Sequence, residues 1–277
     1  MAINKASKFA TKIDERFKTK LLTESAVNND YSWEGVATVS VYGIDTVAMA
    51  NYTRSGTARY GSVTELGNTK QDLTLARDRS FTFSIDQGNF TETQMVARAG
   101  EALARELDEV CMPEIDVWRL GVWGAAAATN GKNAVVAAAA TTASNAYSNF
   151  LALQSSLSDD LVPLTGRKAF LTNAYYSFLK QSNFVVDSEA AYANRKSGKY
   201  GTVDGTELII VPSSYMPTAT DLILVHPSAM VAPRKIEDFK THDNPPGING
   251  KLVEGRLIYD AFILNNKADA IATHKTA

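Results

Sequence analysis

The residues able to do chemistry are few and scattered. His226, His242 and His274 lie far apart in the chain, each in or beside a segment that reads as a strand. A hydrolytic triad would need one of them to meet Ser213 or Ser228 and an aspartate in space. A chain of this length always offers such triples, so residue type alone carries little weight. Cys111, the single cysteine, falls on an apolar helical stripe and reads as a small core residue. With one cysteine, a zinc site would need an unusual mix of distant ligands. Lys132, Lys199 and Lys251 each follow a glycine, but none precedes serine or threonine and none has the earlier glycine of a phosphate loop. The polar, glycine-rich stretch Asn194–Gly201, with Ser197–Lys199, reads as a surface loop rather than a phosphate site. Asp159 and Asp160 read as the solvated end of a helix. No catalytic residue, cofactor site or metal site is predicted, and the expectation is a protein that is not an enzyme.

The arginines make a more informative pattern. From Leu73 to Ile85 the sequence alternates at period two, the signal of a strand. One face carries Leu73, Leu75, Arg77, Arg79, Phe81, Phe83 and Ile85; the other is polar or small, from Thr74 to Ser84. Residues Ile44–Asp86 therefore read as one long two-stranded ribbon with no core of its own. Thirteen strand residues span about 40 Å at about 3.3 Å each, whereas a compact chain of this length has a radius of gyration near 19 Å. An isolated ribbon is marginal in water, so another copy of the chain is expected to complete it. Arg54, Arg59, Arg77 and Arg79 are the candidate cations of that contact, since arginine suits planar carboxylate pairing. Glu101, Glu106 and Glu109, on the polar face of a long helix, are the candidate acidic partners in the second copy.

Other elements must position this ribbon. Phe9, Ile13, Phe17 and Leu21 recur every four residues in a basic N-terminal segment, the spacing of a helical stripe. Phe9, Ile13 and Phe17 are expected to dock on a neighbouring subunit, and removal of Met1–Asn28 to leave folding intact. Gly35–Val41 reads as a strand. Thr91–Gln94 is a capping box opening a helix that carries Met95, Val96, Ala99, Leu103, Leu107 and Cys111. Pro113 is expected to end or kink it and to start a second helix to Leu120, closed by Gly121 and Gly124. Ala125–Ala140 reads as a domain crossing. Thr141 or Thr142 is expected to cap a helix through Leu157. Arg167–Thr172 reads as a strand and Ala174–Lys180 as a helix. Leu208–Val211 and Leu222–Val225 read as buried strands, Lys235–Lys240, Leu252–Leu264 and Ala268–His274 as further strands, and Asn244–Gly250 as a turn.

The totals set outer limits. The chain has 277 residues and a formal net charge of −2, enough to build a core and no global attraction to nucleic acid or anionic membrane. A single cysteine fits a reducing compartment. The first residues lack the apolar core of a secretory signal, and no apolar run approaches a membrane span. Synthesis and folding in a cytoplasm are expected, with no membrane partner.

In order and spacing these segments resemble the major capsid proteins of tailed phages, which have the Hong Kong 97-type fold. Tyr52-Thr-Arg-Ser-Gly56 and Arg77-Asp-Arg-Ser-Phe81 look like parts of its extended loop, and Val96–Leu120, ending Met112-Pro-Glu-Ile-Asp-Val-Trp-Arg-Leu120, like its spine helix. Val203–Ser213 and Leu224–Ala229 are similar to its axial domain, and Pro245–Gly250 and Gly255–Phe262 to its closing strands. The resemblance implies an α+β fold: an N-terminal arm (1–35), a first strand and extended β-hairpin loop (36–90), a peripheral domain with the spine helix (91–130 and 229–266) and an axial domain (131–228 and 267–277). It implies a virion protein, made in a host cytoplasm, whose pentamers and hexamers tile an icosahedral shell. That shell confines double-stranded DNA without reading its sequence. The short region before the first strand implies a separate scaffolding protein; a portal is also implied. Some relatives link a loop lysine to a neighbour's asparagine. Lys70 is the only lysine of this loop and no matching asparagine is identified, so a non-covalent shell is expected. The alternatives are an encapsulin-like bacterial compartment, which resembles the same fold, and a cytoplasmic α+β enzyme without a recognisable motif.

Overall fold

The computed structural model describes residues 21–28, 30–31, 38–88, 99–135, 140–182 and 201–276. In chain order, Thr38–Ile44 (β1) and Asn68–Thr74 (β2) are followed by Arg77–Asp86 (β3). A long helix comes next: Ala99–Glu106 (α1) and Met112–Thr129 (α2) are joined by a π-helical turn, Leu107–Cys111. Then come Asn133–Val135 (β4), the helix Ala146–Asp159 (α3), Lys168–Thr172 (β5) and the helix Asn173–Gln181 (α4). Thr202–Val203 (β6), Thr206–Val211 (β7), Thr220–Val225 (β8) and Met230–Val231 (β9) follow. Arg234–Asp243 (β10), Gly250–Tyr259 (β11), Phe262–Ile263 (β12) and Ile271–Lys275 (β13) close the order.

The largest sheet has strand order β4-β13-β8-β5-β7-β6. Its central strands are apolar on both faces because both are covered. Ala169, Leu171, Leu208, Leu222, Leu224 and Ala272 meet Phe150, Leu153 and Leu157 of α3 and Tyr175 and Leu179 of α4. Their alternating neighbours Phe170, Ile223, Val225 and Ile271 face Leu120, Trp123 and Ala127 of α2. Period two thus sorts each strand between two cores. Thr172 caps α4, accepting from the Tyr175 N–H at 3.3 Å.

The expected ribbon divides. β1 and β2 pair antiparallel from Thr38↔Thr74 to Ile44↔Asn68, a true hairpin closed by residues 45–67. β3 leaves it and joins a three-stranded sheet ordered β10-β11-β3, in register from Arg77↔Tyr259 to Asp86↔Gly250. Half of the supposed coreless ribbon therefore has a partner in its own chain. No glycine or proline marks the break at Leu75–Ala76, which is why alternation reads straight through it. Gly255 lies at the centre of this sheet; a Cβ there would stand 2.3 Å from the Phe81 ring and 3.0 Å from that of Phe239. Its absence lets the two rings close over the middle strand, with centroids 6.2 Å apart.

The long helix also runs further than expected. The Met112 N–H reaches back to the Leu107 carbonyl, a five-residue step that shifts the ladder just before Pro113. Proline then falls in the first turn of α2, where its missing N–H is tolerated. Gly121 and Gly124 lie inside α2, and Ala125–Thr129 continues it rather than crossing between domains. Gly124 is a close-approach site: a Cβ would be 2.8 Å from Pro217 Cγ. Helix α3 begins at Ala146, later than a cap at Thr141 or Thr142 implies, and the Thr141 hydroxyl bonds Asp221 instead.

The expectation that residues up to Asn28 can be removed without touching the subunit does not hold. Ala26 and Val27 are buried in the core against α2. The buried Asp116 carboxylate of α2 accepts from the Leu22 N–H (3.0 Å), the Thr23 N–H (3.1 Å) and the Thr23 hydroxyl (2.7 Å). Arg119, equally buried, reaches Thr23 Oγ1 at 3.1 Å and Glu24 at 2.9 Å. The capping box Thr91–Gln94, the stripe Phe9, Ile13 and Phe17, and the loop Asn194–Tyr200 lie outside the described residues.

Candidate assembly interface

The hairpin stem is fixed to the body by apolar and polar contacts. Leu73 is buried against Val231 and Leu264, with Val39, Val41 and Leu75 packed around it. Gln71 donates to the Ile263 carbonyl at 2.8 Å and accepts from the Asn265 N–H at 3.0 Å. Further along the stem, Asp72 accepts from Ser40 (2.5 Å) and pairs with Lys70 (3.0 Å). The hydrogen bond to Asp72 raises the Lys70 ammonium pKa, and those from Ser40 and Lys70 lower that of Asp72.

Where the chain passes from β2 to β3, two carboxylates form the mount. Asp260, buried just beyond β11, accepts from the Ala76 N–H (3.0 Å), Trp118 Nε1 (3.1 Å) and the Ala261 N–H (2.9 Å). It thereby ties the hairpin base to the long helix. Glu114 of α2 takes Arg77 Nη2 at 3.1 Å, Arg79 Nε at 2.8 Å and the Tyr259 hydroxyl at 2.8 Å. The Arg77 guanidinium lies 4.1 Å from the Trp118 ring centroid and 5.4 Å from that of Tyr259, a cation–π stack. Partial burial alone would push the Glu114 carboxyl up, but Tyr259 and the two arginines outweigh it and hold the pKa below its ordinary value. Burial, then Glu114, pushes the Tyr259 phenol up to about 12. Removing the Asp260 carboxylate orphans three donors, so Asp260→Ala is expected to lower unfolding free energy by about 2–4 kcal/mol. Asp260→Asn should cost less. The denaturant midpoint of the unassembled subunit measures both.

Beyond the stem the hairpin stands clear of the body. Its tip has an internal order: Thr53 N–H bonds the Arg59 carbonyl at 3.0 Å, Arg59 Nε bonds the Gly56 carbonyl at 3.1 Å, and the Tyr52 and Tyr60 rings meet edge-on at 5.1 Å. Gly56 and Gly61 supply positive φ at the turns. Yet its apolar side chains face solvent. Met49 and Val63 are fully exposed, and Tyr42, Ile44, Val47, Tyr52, Tyr60 and Leu66 are all more than half exposed. A monomer gains nothing by ordering such a surface; apolar area of this kind marks an interaction site.

The candidate contact residues that are described fall into three groups. Arg54 and Arg59 are on the exposed tip. Arg77 and Arg79 lie in β3, where Glu114 of their own chain meets them, so a second copy is not needed to supply their carboxylate. Glu101 is exposed on α1, Glu106 is half-buried there, and Glu109 in the π turn pairs with Arg105 at 3.2 Å. The reading by periodicity missed Glu114 and Asp260, single acids with no spacing to mark them. It also missed the tip's apolar residues, which follow neither helical nor strand period. Their signal was density: Val47, Met49, Tyr52, Tyr60, Val63 and Leu66 fall in one stretch without regular structure. The histidines serve three separate places: His226 bonds Ser228 (2.8 Å), His242 faces Glu254 (3.3 Å), and buried His274 bonds Asp221 (2.6 Å).

Comparison with known proteins gives this geometry a context. A model of the family described as phage capsid protein matches residues 76–273. No curated protein matches. Among solved structures, one from Mycobacterium phage Che8 is similar with a TM-score of 0.71 and 17% identity, covering 99% of this chain and 98% of that one. The mature capsid of bacteriophage PhiM1 is similar at 0.74 and 11%, covering 99% and 92%. The capsid of Cyanophage P-SCSP1u is similar at 0.72 and 13%, covering 98% and 93%. A hairpin standing off two sheets braced by one long helix, in a chain matched by that model over most of its length, places it: the chain belongs to the phage capsid protein family, as a major capsid protein of the Hong Kong 97-type fold.

Proposed function

We propose that this virion protein tiles an icosahedral shell as pentamers and hexamers, with each hairpin laid across an adjacent subunit. The observation that carries the reading is the exposed apolar hairpin on a rigid mount. Met49, Tyr52, Tyr60 and Val63, with Arg54 and Arg59 beside them, have the composition of an interface centre, where tyrosine and arginine dominate. Arg77 and Arg79 serve the mount, through Glu114. The arm residues Phe9, Ile13 and Phe17 are a second contact with a neighbour, and Glu101, Glu106 and Glu109 line a helix available to one.

The three-stranded sheet with the N-terminal half of the long helix supports the assignment of a peripheral domain, and the six-stranded sheet with α3 and α4 that of an axial domain. The second half of α2 packs on the latter. Lys70, the one lysine between residues 44 and 86, pairs with Asp72 of its own hairpin stem at 3.0 Å, and the shell is held by non-covalent contacts. Double-stranded DNA is confined rather than bound by sequence, in line with the near-neutral chain. A separate scaffolding protein and a portal complete the partner set. Among the described residues no helix is long and apolar enough to cross a membrane. The family's role is structural, and a phage capsid family does not favour an encapsulin-like compartment or an enzyme. Sedimentation of the purified full-length chain across a concentration series tests this. Fast-sedimenting closed particles above a threshold are expected; a single slow species at every concentration would refute it.

A further inference from the structure

Helix α3 ends in a way its own subunit does not explain. The Leu161 N–H bonds the Ser158 carbonyl and the Val162 N–H bonds the Leu157 carbonyl, both at 3.0 Å. This is a Schellman ending, whose left-handed residue is ordinarily glycine. Here it is Leu161, at φ 59°. The usual apolar compensation of the motif falls to Leu157 and Val162, and Val162 packs against the buried cluster to which Leu157 belongs. The Leu161 side chain adds nothing to it, being 91% exposed. Three residues on, Leu164 is 61% exposed, and Pro163 between them is exposed too.

The loop presenting these groups is pinned from beneath. Arg167, 1% exposed, donates to the carbonyls of Val162 (2.7 Å), Pro163 (2.9 Å) and Gln154 (3.1 Å) and to Ser158 Oγ (3.1 Å). It also meets Gln154 Oε1 at 2.5 Å. Asp160, the residue before Leu161, pairs with Lys132. A single exposed leucine is ordinary. A leucine in a conformation that favours glycine, beside a second exposed leucine, on a loop held by a buried guanidinium, carries a backbone cost that a contact outside the subunit would offset.

We propose that Leu161, Pro163 and Leu164 form an apolar knob that packs against another copy of this chain, a contact separate from the hairpin. The occupant follows from size. Two leucines and a proline offer far less than the roughly 800 Å² per partner that a free-standing complex buries. Such a knob cannot hold an independent protein, but it adds to affinity where other contacts already hold the neighbour in place. The inference rests on the shell reading.

Leu161→Gly gives the test a signature that a merely structural residue would not show. Glycine relieves the left-handed backbone, so the unassembled full-length subunit should melt about 2 °C higher. The same substitution removes apolar contact, so shells should need several-fold more protein to form; with Leu164→Ser added, about tenfold more. Leu164→Ser alone should leave the melting temperature within about 1 °C, as a surface change, yet raise the threshold. A lower melting temperature for Leu161→Gly, or unchanged thresholds for both variants beside normal wild-type shells, would overturn the knob alone. A wild-type chain that forms no shells under any condition would overturn the shell reading, and the knob with it.

Discussion

Replacing residues 45–67 by a short Gly-Ser turn is expected to yield a folded, soluble subunit that forms no closed shells. The subunit should tolerate the change because its hairpin contacts lie in the stem. Leu73 in the core, Gln71 on the Ile263 and Asn265 backbone, and Ala76 on Asp260 all remain. Denaturant stability should stay within about 0.5 kcal/mol, the ordinary range for surface changes. Assembly should not tolerate it. Fully burying one large apolar side chain is worth about 1.5–3 kcal/mol. Met49, Tyr52, Tyr60, Val63 and their neighbours therefore represent on the order of 10 kcal/mol of gross contact per subunit before ordering costs are subtracted. Shell yield by sedimentation should fall below detection. A variant that assembles at wild-type yield would remove the hairpin from the interface.

Two truncations at the N-terminus should behave in opposite ways. Deleting residues 1–20 removes nothing that the described core uses and should leave a cooperative unfolding transition of wild-type midpoint. It should impair assembly, through loss of Phe9, Ile13 and Phe17. Deleting residues 1–28 also removes Ala26 and Val27 from the core, leaves the buried Asp116 carboxylate without its three donors and takes Glu24 from Arg119. Leaving a buried hydrogen-bonding group unsatisfied costs about 1–3 kcal/mol, and more when the group is charged. With total stabilities commonly about 5–15 kcal/mol, the longer deletion should abolish the cooperative transition or lower its midpoint severely. Equal stability of the two truncations would show that the Asp116 and Arg119 contacts are of little consequence.

The elements easiest to read from sequence were those with one dominant signal. Leu208–Val211 and Leu222–Val225 are continuous apolar runs near proline, and they form two of the four inner strands of the six-stranded sheet. Alternation from Leu73 to Ile85 correctly marked strand, but it carried no information about partners. β2 pairs with β1 and β3 with β11, and Asp260, far along the chain, holds Ala76 at the junction. Gly121 and Gly124 looked like helix stops. Tertiary packing against Pro217 explains Gly124; the structure offers no comparable reason at Gly121. The arm's end at Leu22–Asn28 was misjudged because Ala26 and Val27 are small and the acid that secures Thr23 is over 90 residues away. Polar hubs such as Glu114 and Asp260 have no local signature, since their meaning comes from donors that folding brings to them.

The most direct measurement is an electron-microscopy reconstruction of particles assembled from the purified chain. Closed shells of pentamers and hexamers are expected, in which density for residues 45–67 of each subunit lies on the body of an adjacent one, with Met49 and Val63 out of solvent. Shells in which that hairpin folds back on its own subunit, or projects uncovered into solvent, would contradict it.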